Sequence, residues 1–282
     1  MLSKRGDMAN KFLFNRICGQ IKDIKIQGAT NVAKAALKAY YLMPTKESKR
    51  ILLSLRPTEP MLSHVLEMAD KKPKAEILAH FEETQNKINR LVFNLMRNNS
   101  KIFTHCHSTN VVNALIYAKN KGKHFEVYNT ETRPLFQGRL TAKELSKAGI
   151  KVTNFVDSAA EIAIARQGKN DREYVNLILL GADAILDNAV INKVGSGMIS
   201  EIAYNHKIPV YIAADSWKYS AKNVKLEQRA FKEVWNPKKN PVHIRNPAFE
   251  PINSKYVRGI ISELGNLSYK NFLKKVKNRK YS

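Results

Sequence analysis

Cys106, in Thr104-His105-Cys106-His107-Ser108, and Asp183, in Gly181-Ala182-Asp183-Ala184-Ile185, are the residues of this chain best suited to chemistry. Each stretch follows a short apolar run, Ile102-Phe103 or Leu177-Ile178-Leu179-Leu180, and leads toward a segment able to open a helix. A thiol and a carboxylate at the carboxyl ends of two parallel strands share one crevice, where open α/β sheets bind ligands. Facing each other across a bound molecule, they suit proton transfer. Asp183 follows a buried strand, where desolvation raises a carboxyl pKa and favours the acid. Cys106 lies near the expected amino terminus of the next helix and between two histidines, surroundings that favour thiolate. The competing readings are a small buried hydrophobe and a His-Cys-His zinc ligand set. In an extended segment, however, Cys106 points away from both neighbours, and no second cluster completes a tetrahedron, so neither metal nor cofactor is expected. His80, His124, His206 and His243 carry no signature that places one as the base of a cysteine hydrolase.

The elements that position these residues follow from hydrophobic rhythm. Residues 30–41 are alanine-rich with helical period, and residues 70–96 place Ile77, Leu78, Phe81, Ile88, Leu91, Val92 and Leu95 at three- and four-residue spacings. After Asn99 the pattern changes to short β-type runs at 101–104, 125–129, 151–156, 177–180 and 210–213, alternating with helical stretches at 109–119, 142–148, 158–166 and 196–205. Such alternation implies βαβ units and a parallel sheet. The expected architecture is α/β: a helical amino-terminal domain over residues 1–97, a Rossmann-like parallel-sheet domain over 98–266, and a basic tail over 267–282. A polar residue follows every strand: Cys106, Thr130 with Arg133, Asp157, Asp183 and Asp215. Helix capping suffices for Asp157. It does not explain Cys106, a poor cap, or Asp183, which precedes more apolar sequence.

Composition bounds the setting. The 282 residues are 44% apolar, lack an apolar run of about 20 residues, and hold only two cysteines, Cys18 and Cys106. With a polar Met1–Asp7 start, a cytoplasmic protein without a disulfide framework or membrane span is expected. The net charge of +24 comes from lysines spread along the chain. Default surface lysine explains it better than nucleic-acid binding. Only Lys274, Lys275, Lys277, Arg279 and Lys280 crowd together, in a tail expected to be solvated or frayed.

The motifs are collinear with those of a known superfamily. Arg56-Pro57-Thr58, Thr104-His105-Cys106, Thr130-Glu131-Thr132-Arg133-Pro134, Gln137-Gly138-Arg139-Leu140-Thr141, Asp157-Ser158-Ala159, Gly181-Ala182-Asp183-Ala184-Ile185, Asn192-Lys193-Val194-Gly195-Ser196 and Arg245-Asn246-Pro247-Ala248-Phe249 carry the resemblance. It runs from about Gln27 to Gly265. The chain resembles archaeal ribose-1,5-bisphosphate isomerase, methylthioribose-1-phosphate isomerase, and the alpha, beta and delta subunits of translation initiation factor 2B. The isomerases carry both the cysteine and the aspartate as their catalytic pair, whereas the initiation-factor subunits typically replace the cysteine. Retention of both implies an enzyme, and the compact length implies the ribose 1,5-bisphosphate member, acting in AMP and nucleoside-monophosphate breakdown. By resemblance, Asp183 protonates the ring oxygen and Cys106 moves the proton between the second and first carbons. The resemblance also implies a homo-oligomer, dimer or hexamer, and leaves regulation by AMP open.

A phosphorylated sugar needs anion sites. The glycine turn of Asn192, Lys193, Gly195 and Ser196 leads into a helix, where amides and dipole favour an anion. Gln27, Gly28 and Ala29 open the first alanine-rich helix in the same way. Arg56 and Arg133 are expected as bidentate partners, and Gln137 joins them through its motif. Three positions depart from the family pattern: Gln27 where arginine is usual, Glu59 where a small neutral residue is usual, and His107 where asparagine is common. The rival readings are therefore methylthioribose-1-phosphate isomerase and, from another class, a non-catalytic regulator like the initiation-factor subunits.

Overall fold

The computed structural model describes residues 2–165, 174–237 and 242–279. Five helices come first: α1 (Leu2–Lys22), α2 (Ala29–Leu42), α3 (Lys46–Leu55), α4 (Pro60–Met68) and α5 (Lys74–Leu95). The alternation then runs β1 (Ser100–Thr104), α6 (Thr109–Asn120), β2 (Phe125–Thr130), α7 (Gln137–Lys147), β3 (Lys151–Phe155) and α8 (Ala160–Ile164). It continues through β4 (Leu177–Leu180), β5 (Ala184–Ile185), β6 (Ala189–Lys193), α9 (Ser196–Asn205), β7 (Val210–Ala213), β8 (Phe249–Asn253), β9 (Gly259–Ser262), β10 (Gly265–Leu267) and α10 (Tyr269–Asn278).

The main sheet has the order β10-β9-β7-β4-β1-β2-β3. Its pairs are parallel except β9 with β10. From β1 the chain steps outward through β2 and β3, then returns to β4 beside β1 and proceeds the other way. The β1/β4 boundary is thus the switch point at which a crevice opens beyond the strand ends. Strand alternation assigns the core. Ile102, Val127, Leu177, Leu179 and Ile261 face α5, α6 and α7, among Ile88, Val92, Leu115 and Leu145. Phe103, Ile178, Leu180, Ile212 and Ile260 face the other way, onto Ile164, Ile199, Phe272 and Val276. A smaller antiparallel sheet, β5-β6-β8, sits beyond β4 and carries Asn192 and Lys193 at the end of β6.

All five expected strands are present. Several elements differ from expectation. α7 starts at Gln137, earlier than 142, because Phe136 turns the chain with φ 58°. The 158–166 helix is divided into a 3₁₀ turn at Asp157–Ala159 and α8, with Arg166 outside the described residues. α1, the small sheet, β9 and β10 were not anticipated. Residues 267–282 were expected as a solvated tail. Instead 269–278 form α10, which buries Tyr269, Phe272 and Val276 against the sheet, while Lys280 lies outside the described residues. Packing is also continuous across residue 97. The first half of α5 joins Ile77 and Phe81 to Ala29, Leu37 and Trp217, and its second half packs on the sheet.

Candidate active site

A cavity of about 420 Å³ lies at the switch point, with Cys106 and Asp183 both in its wall. Cys106 is not extended: it follows β1 with φ 65°. This left-handed conformation costs a non-glycine residue roughly 1–2 kcal/mol. Two threonines hold it there. The Cys106 amide donates to Thr132 Oγ1 at 3.0 Å, and the Thr141 hydroxyl donates to the Cys106 carbonyl at 2.8 Å. The two threonines meet this loop because α7 begins against β2. A Cβ on Gly138 would lie 1.8 Å from the Thr130 carbonyl oxygen, so only glycine fits. On the other side, the Asp183 amide donates to Ile191 O at 2.8 Å, which ties it to β6. A Cβ on Gly181 would meet Ser108 Oγ at 2.5 Å, so this glycine allows the β4 end to approach the Cys106 loop.

Burial raises the Asp183 carboxyl pKa, opposed by the cations of Lys218 and Arg56. That matches the direction expected. For Cys106 the expectation reverses. Burial pushes its thiol up to about 12, with the Lys193 ammonium the largest opposing influence. The flanking histidines give no positive charge, because burial holds both below the ordinary imidazole value. His105 donates Nε2–H to Val194 O at 2.9 Å, since a carbonyl only accepts, and its Nδ1 accepts from Thr130 Oγ1 at 2.5 Å. Thr141 already donates to Cys106, so it accepts from His107 Nδ1–H at 3.0 Å. Both rings brace loops.

The two expected anion turns have different fates. At α2, Gly28 has φ 82° and no side chain caps the helix; Gln27, Gly28, Ala29, Thr30 and Asn31 line the cavity. At α9 the Glu250 carboxylate accepts from the amides of Gly195 at 2.8 Å and Gly197 at 2.6 Å. Gly195 and Ser196 are consequently absent from the cavity lining. Ser196 Oγ instead accepts from Asn192 Nδ2 at 2.9 Å, which orients a residue that does line it. Lys193 is buried in the cavity wall, and its ammonium has no hydrogen-bond or ion-pair partner among the described residues. Gln137 lines the cavity too, with Oε1 buried and unpaired among the described residues.

The arginines also separate. Arg56 is buried in the wall, clamped by Glu59 at 2.7 Å and Glu227 at 2.9 Å. Arg133 does not line the cavity: it is exposed, 4.9 Å above the Phe136 ring. Asp157 does not cap the helix that follows it, contrary to expectation: Val156 and Ala159 hold the cap positions, and neither has a side-chain cap hydrogen bond. The Asp157 carboxylate accepts from the amides of Thr132 and Arg133 at 2.8 and 2.6 Å, and so fixes the loop that holds Cys106.

Sequence reasoning missed Lys218 and Arg229, which also line the cavity. Lys218 is buried and donates to Ala182 O at 2.7 Å, beside Asp183. Its signal was a lysine three residues after the flagged Asp215. His80, Asp215 and Glu263 come within reach of one cation. Each is otherwise engaged: His80 faces both Asp215 oxygens at 3.1 Å and stacks on Trp217 at 3.6 Å, and Glu263 accepts from Arg279 at 2.7 Å.

An open, doubly wound sheet with a polar cavity at its switch point defines a Rossmann-like α/β protein. The chain belongs to the initiation factor 2 subunit family, whose model matches residues 46–269. It is 31% identical over 280 residues to ribose 1,5-bisphosphate isomerase of Methanocaldococcus jannaschii, covering 87% of this chain and 88% of that protein. It is 30% identical over 304 residues to methylthioribose-1-phosphate isomerase of Fervidobacterium nodosum, covering 89% and 85%. Among solved structures, a Pyrococcus horikoshii protein described as translation initiation factor eIF-2B superposes with a TM-score of 0.76 at 25% identity, covering 90% of this chain and 96% of that one.

Proposed function

We propose that this chain is an aldose–ketose isomerase that converts ribose 1,5-bisphosphate to ribulose 1,5-bisphosphate. The observation that carries the reading is Cys106 and Asp183 in one cavity with Lys193, whose ammonium has no partner among the described residues, and an α2 start without a side-chain cap. The isomerase names of relatives near 30% identity support the reaction class. A sugar with phosphate on its anomeric oxygen is locked as a ring, so isomerisation requires the ring oxygen to gain a proton. In the proposed sequence Asp183 gives that proton as the bond from the first carbon to the ring oxygen breaks. Cys106 thiolate takes the proton of the second carbon, and an enol forms. The Asp183 carboxylate then removes the hydroxyl proton of the second carbon while Cys106 returns its proton to the first carbon. Both groups end as they began.

The working state is acid at Asp183 and thiolate at Cys106. With the thiol pushed up to about 12, this is the minor of two states holding the same number of protons. Lys193 is the charge that raises its share. Lys25, Lys193 and Arg229 in the lining suit two phosphate groups better than a thioether, whose natural neighbours would be Phe136, Leu140 and Phe249. Self-association is part of the reading, supported by Met198 and Tyr204 exposed on α9, and light scattering tests it.

The deciding experiment is a sugar-phosphate panel with wild type, Cys106→Ser and Asp183→Asn. Ribose 1,5-bisphosphate should turn over, with each variant reduced by roughly 10²–10⁴. Turnover of methylthioribose 1-phosphate alone would shift the substrate. Absence of all turnover, or turnover indifferent to both variants, would return the chain to the regulator class.

A further inference from the structure

Arg56, in the wall of the cavity that contains Cys106 and Asp183, forms a buried ion pair with Glu59, which does not itself line that cavity. Glu59, just ahead of α4, is 3% exposed. The pairing is lopsided. Arg56 has a second partner, Glu227. Neither Glu59 oxygen makes a hydrogen bond among the described residues, and its side chain caps no amide of α4. Facing it are Arg56 after α3, Asp183 after β4, Lys218 after β7, and Glu227 in the segment before β8. Behind the pair a second cavity is bordered by His64 and Glu67 of α4 and by Lys222 and Lys225. Three carboxyl groups therefore surround two buried cations before any ligand arrives. Of the two carboxylates on Arg56, Glu59 has the less support: Glu227 accepts a hydrogen bond from Arg56 Nε at 2.9 Å, whereas ion pairing without hydrogen bonds compensates the burial of Glu59 poorly. Burial pushes its carboxyl up to about 7, against the pull of Arg56.

We propose that Glu59 is a positioning residue that couples anion binding at Arg56 to proton uptake: a dianion takes its place on the guanidinium as Glu59 takes one proton from solvent. This rests on reading the cavity as a sugar-phosphate site, and it deepens that reading by naming how the site's charge is regulated. Without ligand, Glu59 keeps Arg56 compensated. With ligand, neutral Glu59 leaves the guanidinium to the dianion and Glu227.

Inorganic sulfate tests this without turnover, because its charge stays constant from pH 6 to 9. Calorimetric titration of wild type should show sulfate affinity level below pH 6 and falling about tenfold per unit above pH 7. Heats in two buffers at pH 8 should report about one proton taken up per sulfate bound. Glu59→Gln should remove both effects and bind sulfate about tenfold more tightly at pH 8, whereas Asp183→Asn should keep the wild-type slope. Sulfate binding by wild type that ignores pH, or that is undetectable at pH 6, overturns the proposal even if the variant fails to fold. A slope that survives in Glu59→Gln overturns it as well. Loss of the isomerase reading would appear separately, as no sugar-phosphate turnover with the sulfate linkage intact.

Discussion

Helices α2 and α9 both begin after a glycine with positive φ, Gly28 at 82° and Gly195 at 102°, and neither N-cap residue has a side chain to offer. In sequence they look like equivalent anion sites. In the fold, α9 has its anion built in, the Glu250 carboxylate on two amides, while α2 opens into the cavity with none. The difference teaches that a helix amino terminus is available to a ligand only where the chain supplies no acid of its own. That acid stands 55 residues from Gly195, so no local pattern reveals it. One terminus holds the fold's own carboxylate; the other faces the cavity.

The largest effect that sharpens this division is expected at Lys193, the buried cation in the cavity wall with no partner among the described residues. Lys193→Met should lower isomerase kcat/KM by roughly 10²–10³, or about 3–4 kcal/mol, with little change in Tm. Loss of stability without loss of activity would move Lys193 to the structural side. Next is Glu59, an acid that the fold supports poorly where it supports Glu250 well. Burial pushes its folded pKa up to about 7 from the ordinary carboxyl value of 4.5, so the stability it contributes is present below about pH 4.5 and lost as pH rises through about 7. Glu59→Gln should therefore gain on wild type by roughly 2.5 kcal/mol between pH 5 and pH 8 in urea melts. A gap that stays constant with pH would break that account. Glu250→Gln should cost about 2 kcal/mol of stability through weaker bonds at the α9 amides, and leave KM within about threefold. A larger rise in KM would mean that α9 also binds ligand. Smallest is Asn31→Asp in the first turn of α2. It should stabilise the helix by roughly 0.3–1 kcal/mol through the dipole, yet weaken phosphate binding about tenfold by placing a like charge beside it. Opposite signs in the two measurements are the signature of an open terminus.

Periodicity made five of the parallel strands and their order along the chain legible, from central Leu177–Leu180, apolar on both faces, to the exposed edge strand Lys151–Phe155. It missed α10, where lysines outnumber the Tyr269, Phe272 and Val276 spacing that buries it. It also missed α1, whose Phe14, Ile17 and Ile21 lie at helical intervals among polar residues. The Cys106–Asp183 pairing was legible because both follow strands, and adjacency of β1 and β4 does the rest. What stayed hidden depends on distant partners: Glu250 at α9, Glu227 on Arg56, Lys218 beside Asp183. The left-handed Cys106 was hidden too, since Thr132 and Thr141 hold it from another strand–helix unit.

Helix α5 is a continuous run of 22 residues, about 33 Å long. Its first half is rooted among α2 and α4, and its second half lies on the sheet. It works as a splint. Neither lobe melts without stripping apolar surface from the other, so calorimetry should record one cooperative transition with van't Hoff and calorimetric enthalpies in agreement.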